Sequence, residues 1–182
     1  IDPVRFIGNR SSCKMGYAIA EQAVRMGAKV ILVSAPTSLP IPSGVDFISV
    51  DSAVSMQEAV EARYNDVNVV IMAAAVSDFR VLHKAEQKIK KMESMTIELV
   101  KNPDILQGLG SKKNHQILVG FAAETEHVIK YGQDKVAKKN LDMLVANDVS
   151  KSNAGFNVDT NEGYFLYPDK EPKEMPNMKK SD

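Results

Sequence analysis

Residues along this chain group into helical stripes and short unbroken apolar runs. Met15, Ala18, Ile19, Gln22, Ala23 and Met26 recur at helical spacing, and Gly27 follows as a stop signal. Lys29-Val-Ile-Leu-Val-Ser34 is bounded by turn residues and predicts a buried strand. Pro36, Pro40, Pro42 and Gly44 mark a loop, and Asp46-Phe-Ile-Ser-Val50 predicts a second strand. A helix is expected over 52–64, capped by Ser52 or Ser55, and a third strand over 67–75, running into small residues. Thr96-Ile-Glu-Leu-Val100 alternates as a half-exposed strand does, and Asn102-Pro-Asp104 opens a short helix with Pro103 in its first turn. A buried strand over 116–121, a helix over 126–140 and a strand over 142–146 follow. Asn, Asp and Gly interrupt short apolar pairs over 156–167, predicting a hairpin near Thr160-Asn-Glu-Gly163. The last fifteen residues, rich in Pro, Lys and Glu, predict no element.

Alternation of strand and helix implies right-handed crossovers and an α/β fold, a mainly parallel sheet with helices on both faces plus a C-terminal β-hairpin region. The expectation is one nucleotide-binding domain over residues 1–182, with the first strand of a doubly wound fold missing from the sequence. Ligands of such sheets sit outside the carboxyl ends of the strands.

Composition narrows the classes of function. The chain has 182 residues, 44% hydrophobic and 25% charged, as in an ordinary globular domain. Its 23 Lys and Arg balance its 23 Asp and Glu, so net charge argues for neither nucleic acid nor an anionic membrane. No apolar run approaches the roughly 20 residues of a membrane span, and no signal-peptide pattern opens the chain. The single cysteine, Cys13, excludes an internal disulfide and fits a reducing cytoplasm. His83, His115 and His127 are scattered, so no zinc-type ligand set is visible and the metal ligands are left unassigned.

Five stretches can carry chemistry. Asn9-Arg-Ser-Ser-Cys-Lys-Met-Gly16 precedes the first helix, where Ser11 and Ser12 are good caps and free N–H groups attract anions; a plain capped helix is the alternative. In Ala73-Ala-Ala-Val-Ser-Asp-Phe79 the small residues let a ligand approach the backbone and Asp78 can accept from a sugar or base, or else the group serves helix–sheet packing. Lys84, Lys88, Lys90 and Lys91 form either a solvated face or a loop that closes on phosphates. Lys135 and Lys139 share a predicted helix face, with Lys138 beside them, suited to a polyanion or to solvent. Gly120-Phe-Ala-Ala-Glu-Thr125 ends a strand with Phe121, a stacking or core residue, and Glu124, a candidate to order a loop or a metal-bound water. All five fall at strand ends or helix starts. None has the spacing of the phosphate-loop lysine motif or of the dinucleotide glycine fingerprint.

Taken in order, Ile1-Asp-Pro-Val-Arg5, Asn9 to Gly16, Ala73-Ala-Ala-Val-Ser-Asp78, Lys88-Ile-Lys-Lys91, Leu99-Val-Lys-Asn-Pro-Asp-Ile105, Gly120 to Thr125, Lys139-Asn-Leu-Asp142, Asn147-Asp148 and Gly155-Phe-Asn157 resemble the phosphopantothenate–cysteine ligase family. The resemblance covers the chain to about Tyr167. It implies a Rossmann-like fold, a homodimer with residues 79–100 near its interface, CTP as the usual bacterial co-substrate, with ATP the other choice, and Mg2+ with the phosphates. It further implies that the carboxylate of 4'-phosphopantothenate attacks the α-phosphate, and that the amine of cysteine then displaces CMP from the acyl-cytidylate. By residue-for-residue match, Asn9 holds that intermediate and Lys88 neutralises phosphate charge from a mobile closing loop. Asp78, Pro103, Asp104, Ile105, Leu106, Phe121, Lys135 and Lys139 contact the nucleotide by the same match, and Ala74 and Ala75 the substrate. In many bacteria such a domain is fused behind a flavin-dependent decarboxylase. Three features depart from the family: Cys13 stands where it has glycine, and its N-terminal glycine-rich loop and last helix are not in this sequence. A nicotinamide-dependent oxidoreductase would need a glycine fingerprint and an acidic residue after the second strand, neither of which is visible. A non-catalytic nucleotide-binding domain would keep Asp78 and Lys135 without needing both Asn9 and Lys88.

Overall fold

A computed structural model of the chain describes residues 1–148 and 160–180. The Gly155-Phe-Asn157 motif lies outside the described residues. Helix α1 (Lys14–Arg25) buries Tyr17 and Ala20. It ends because Gly27 turns into the left-handed region at φ 87°. The Gly27 N–H then bonds Val24 O and the Ala28 N–H bonds Ala23 O, both at 2.9 Å, so two end carbonyls are satisfied. Strands β1 (Val30–Ser34) and β2 (Val45–Ser49) pair in parallel, Val30 opposite Val45. Helix α2 (Ala53–Glu61) starts at Ser52, whose hydroxyl accepts from the Ser55 N–H while Ser55 bonds back to the Ser52 N–H, a reciprocal cap. Strand β3 (Val69–Met72) then enters the main sheet, while β4 (Phe79–Val81) and β5 (Leu99–Lys101) form a separate antiparallel ribbon.

Helix α3 (Ile105–Ser111), β6 (Ile117–Glu124), α4 (Val128–Lys138), β7 (Met143–Asp148), β8 (Thr160–Tyr167) and β9 (Lys170–Lys179) complete the order. The five-stranded sheet runs β3-β6-β7-β8-β9, parallel through β7 and antiparallel beyond. The β1–β2 pair is a sheet of its own. Leu109, Leu118, Leu144, Ala146 and Leu166 lie at 0–2% exposure in a core shared by α3, β6, β7 and β8. The architecture is the expected α/β fold, a sheet flanked by helices whose β3-β6-β7 part is parallel.

Several expectations are corrected. The hairpin turns at Pro168-Asp169, not at 160–163, and the tail expected to lack structure is strand β9. Pro168 has no N–H to continue the ladder, whereas Gly163 serves a close approach: a Cβ there would meet Ala146 O at 2.0 Å. Strand β9 lies at the sheet edge, and Pro172 and Pro176 fall between its residues paired with β8. Pro103 is not in the first turn of α3 but precedes its cap, because the Asp104 carboxylate takes the cap by accepting from the Gln107 N–H at 3.0 Å. The cap position of α1 is not at Ser11 or Ser12 either. That position falls to Cys13, at φ 60°, with no side-chain cap bond. The strand expected over 96–100 is confined to Leu99–Lys101.

Candidate active site

A cleft of about 440 Å3 opens at the carboxyl ends of β3 and β6. The start of α1 forms one wall and the start of α3, with Phe121 and the lysine face of α4, forms another. Between them lie the small residues after β3, and the far end reaches Asn147 and Asn161 on β7 and β8.

Local hydrogen bonds build these walls. Asn102, 7% exposed, ties the loop after β3 to the start of α3. Its side-chain amide donates to Ser77 O at 2.8 Å and its main-chain N–H to Asp78 O at 2.7 Å. Its Oδ1 accepts from Arg80 Nη1 at 3.2 Å. Asp78 is thereby held by its main chain at the rim, its side chain exposed. On the opposite side, Asn9 Nδ2 donates to the main-chain oxygen of Ala75, and Asn9 Oδ1 accepts from the Ser11 N–H at 2.8 Å. One asparagine therefore joins the segment before α1 to the strand end that carries Ala74 and Ala75.

Lys139 owes its position to the close approach of the chain just past α4 to α3. Gly110 has no side chain where Lys139 O approaches; a Cβ would sit 1.9 Å from that oxygen. Asn140 reverses the chain at φ 52° and its amide donates to Gly110 O at 3.0 Å. Lys139 then meets the α3 cap, with Nζ 2.9 Å from Asp104 Oδ2. Lys135, one turn earlier, pairs with Glu124 at the end of β6. Pairs this accessible contribute about 0–1 kcal/mol each, so they orient the ammonium groups more than they stabilise the fold. Partial burial works to raise the Asp104 carboxyl, but the Gln107 N–H, Lys139 and Lys138 outweigh it and hold the group below the ordinary carboxylate value.

Of the residues singled out in the sequence, Ala74, Ala75, Asp78, Pro103, Asp104, Ile105, Leu106, Phe121, Lys135 and Lys139 all line this one cleft. Asn9 stands just behind its wall, against Ala75. Lys88 is apart: it is exposed and not among the lining residues. The loop of Lys88 is also tied down, its Ile89 N–H bonding Asp2 Oδ2 at 3.1 Å.

Sequence reasoning gave no role to two lining residues, Asn147 and Asn161. Asn161 Nδ2 donates to Asn147 Oδ1 at 2.7 Å, while Asn161 Oδ1, fully enclosed, has no hydrogen-bond partner among the described residues. A buried acceptor left unmet costs about 1–3 kcal/mol. In sequence, Asn161 falls in the polar stretch that predicts a turn near 160–163; only the register of β8 against β7 brings it beside Asn147. No group of three or more His, Cys, Asp or Glu among the described residues makes a cage for a metal ion. No helix among them is long and apolar enough to cross a membrane.

A coenzyme A biosynthesis bifunctional protein CoaBC of Bacillus subtilis (strain 168) is 50% identical over 184 residues, which cover 100% of this chain and 45% of that protein. The CoaBC of Escherichia coli (strain K12) is 47% identical over 174 residues, covering 93% of this chain and 43% of that protein. The chain thus spans less than half the length of the curated relatives it matches. The crystal structure of the C-terminal domain of a CoaBC superposes with a TM-score of 0.84 at 45% sequence identity, covering 100% of this chain and 82% of that one. With all of residues 1–182 matching its family model, the chain belongs to the DNA/pantothenate metabolism flavoprotein C-terminal domain family.

Proposed function

We propose that this chain is a phosphopantothenate–cysteine ligase acting in coenzyme A biosynthesis, with CTP as its nucleotide. The observation that carries the reading is the convergence of six of the resembling motifs, those at 9–16, 73–78, 99–105, 120–125, 139–142 and 147–148, on one cleft at the carboxyl ends of the strands. Its relatives are coenzyme A biosynthesis proteins by name, which supports the pathway.

The cleft chemistry suits an acyl-nucleotide. The carboxylate oxygen of 4'-phosphopantothenate attacks the α-phosphorus of CTP, the α–β phosphoanhydride bond breaks, and pyrophosphate leaves. The amine of cysteine then attacks the acyl carbon, loses a proton as the amide forms, and CMP departs. Lys135 and Lys139 supply positive charge at the nucleotide, exchanging Glu124 and Asp104 for the ligand. Phe121 offers a stacking face, Asp78 and residues 103–106 bound the nucleotide, and Ala74 and Ala75 let the acyl group approach the main chain. Asn9, anchored on Ala75 O, holds the acyl-cytidylate for the amine. Asp78, an exposed carboxylate in the lining of the cleft, would hold Mg2+ beside the phosphates, because Mg2+ takes one or two carboxylates and keeps its waters rather than needing a protein cage. When bound it neutralises developing charge on the phosphates.

The same reading includes a homodimer built on the β4–β5 ribbon. Phe79, Leu82, Met92, Met95 and Leu99 there are 40–61% exposed, an apolar patch that a second copy would cover. A fused or associated flavin-dependent decarboxylase and a cytoplasmic location complete the proposal. Pyrophosphate release measured with CTP and with ATP, with and without 4'-phosphopantothenate, tests it. Release that needs the substrate and is faster with CTP is expected. Release with neither nucleotide would remove the ligase reading.

A further inference from the structure

The side chain of Asp2 has 0% exposure. Its Oδ1 accepts from the Val4 and Arg5 N–H groups, each at 2.9 Å, which folds residues 1–5 into a tight turn. Its Oδ2 accepts from Arg5 Nε at 3.0 Å, from Arg5 Nη2, and from the Ile89 N–H at 3.1 Å. Arg5 Nη2 also donates to Ile89 O at 3.1 Å. Both peptide groups of Ile89 are therefore held by one ion pair more than eighty residues away in sequence. A further bond, from the Ala85 N–H to Ile1 O at 3.0 Å, ties down the other end of that stretch. Lys88 is the residue before Ile89, and Asn9 follows Arg5 by one helical turn's worth of chain.

We propose that Asp2 and Arg5 are positioning residues for Lys88: they fix the main chain at Ile89, so the lysine meets the polyphosphate from an anchored base. The inference rests on the reading of Lys88 as the group that neutralises phosphate charge. A lysine on an unanchored loop would lose conformational freedom in full each time the site closed, whereas the anchor removes part of that loss in advance. The Arg5 guanidinium, the largest influence, keeps the Asp2 carboxyl well below the usual carboxylate range, so the clasp stays charged in any ordinary buffer.

The test is a double-mutant cycle on single-turnover pyrophosphate release, using Asp2→Asn, Lys88→Gln and the pair, with the melting temperature of each recorded. Expected are a loss of about tenfold or more for Asp2→Asn at saturating CTP, and a double variant no slower than Lys88→Gln alone within about twofold. Arg5→Lys keeps the charge and leaves the turn bonds of Asp2 in place, but loses the Nε bond to Asp2 and the rigid fork that aims Nη2 at both Asp2 Oδ2 and Ile89 O, so it is expected to behave as Asp2→Asn does. It also serves where Asp2→Asn fails to fold. Losses that multiply in the double variant would show the clasp acting independently of Lys88 and overturn the proposal. So would unchanged rates in both Asp2→Asn and Arg5→Lys. A normal rate in Lys88→Gln would overturn it together with the role given to Lys88, leaving the ligase reading to stand on the parent's own pyrophosphate release. Absence of release in the parent would instead remove the ligase reading, and hydrogen exchange at the Ile89 amide, faster in Asp2→Asn if the clasp holds and unchanged if it does not, then decides the anchor.

Discussion

Replacing Cys13 by glycine is expected to stabilise the protein. Cys13 sits at φ 60° and ψ −2°, immediately before α1. In the left-handed region a side chain places its Cβ against the following carbonyl, which costs about 1–2 kcal/mol. Glycine removes that cost, but widens the unfolded ensemble by an amount worth about 0.4–1 kcal/mol. The sulfur is only partly buried, so little packing is lost with it. The balance favours Cys13→Gly by roughly 0.5–1 kcal/mol. For a chain of 182 residues, a kilocalorie moves the midpoint by about 2–4 °C, so the expected rise is about 1–4 °C. Cys13→Ala keeps the Cβ and the strained angle and is the control: it should not gain. Calorimetric melting and urea midpoints of the three proteins measure the effect. A Cys13→Gly protein that melts at or below its parent, or an alanine variant that gains as much, would refute the conformational argument. Because Cys13 also lines the cleft, 4'-phosphopantothenate should slow its alkylation, and Cys13→Gly should bind that substrate more tightly.

Three further expectations follow from the site. Asn9→Asp should still release pyrophosphate but accumulate acyl-cytidylate in the presence of cysteine, seen by quenching and chromatography; turnover at the parent rate would reject the role of Asn9. Gly110→Ala forces a Cβ against Lys139 O, so α3 and α4 must separate; a loss of about 1–3 kcal/mol in urea unfolding is expected, with weaker nucleotide binding as Lys139 shifts. The native Asp104 carboxyl lies below its unfolded value, so its contribution is present above the ordinary carboxylate pKa of about 3.9 and is lost as the pH falls towards the native value. The stability gap between the parent and Asp104→Asn should therefore be full near neutrality and narrow in acid; a gap that widens on acidification would contradict the assignment.

Strands β6 and β7 are legible in the sequence because burial on both faces leaves an unbroken apolar run, as in Leu118 and Val119 or Leu144 and Val145. Strand β9 is not, because an edge strand rich in Lys, Glu and Pro with Met175 as its buried apolar residue carries no inward-facing pattern; it is held by pairing with β8. Gly163 misleads for a related reason. A glycine that permits close approach looks the same in sequence as one that makes a turn, and only the neighbouring backbone tells them apart. Within the site, residues at the ends of β3 and β6 could be grouped because a parallel sheet brings its carboxyl ends together. The anchoring of the Lys88 loop by Asp2 could not, since no local pattern announces a contact across so much chain. Asn161 was hidden by the same lack of local information.

The separation of β1–β2 from the five-stranded sheet gives the molecule a seam. Among the described residues the two units share no main-chain ladder, and Val33, Ile48, Val50 and Met56 join the common core through apolar side chains. Ladder bonds are directional and lock register, whereas apolar contacts permit small slides. The unit of α1, β1, β2 and α2 should thus open as a cooperative block at lower free energy than the β6–β7 centre, which hydrogen exchange would register as a common opening rate. The cleft runs along this seam, with Ser12 on one bank and Lys139 on the other. A ligand bridging both acts as a rivet, so amides in β1 and β2 that it never touches should gain protection when it binds.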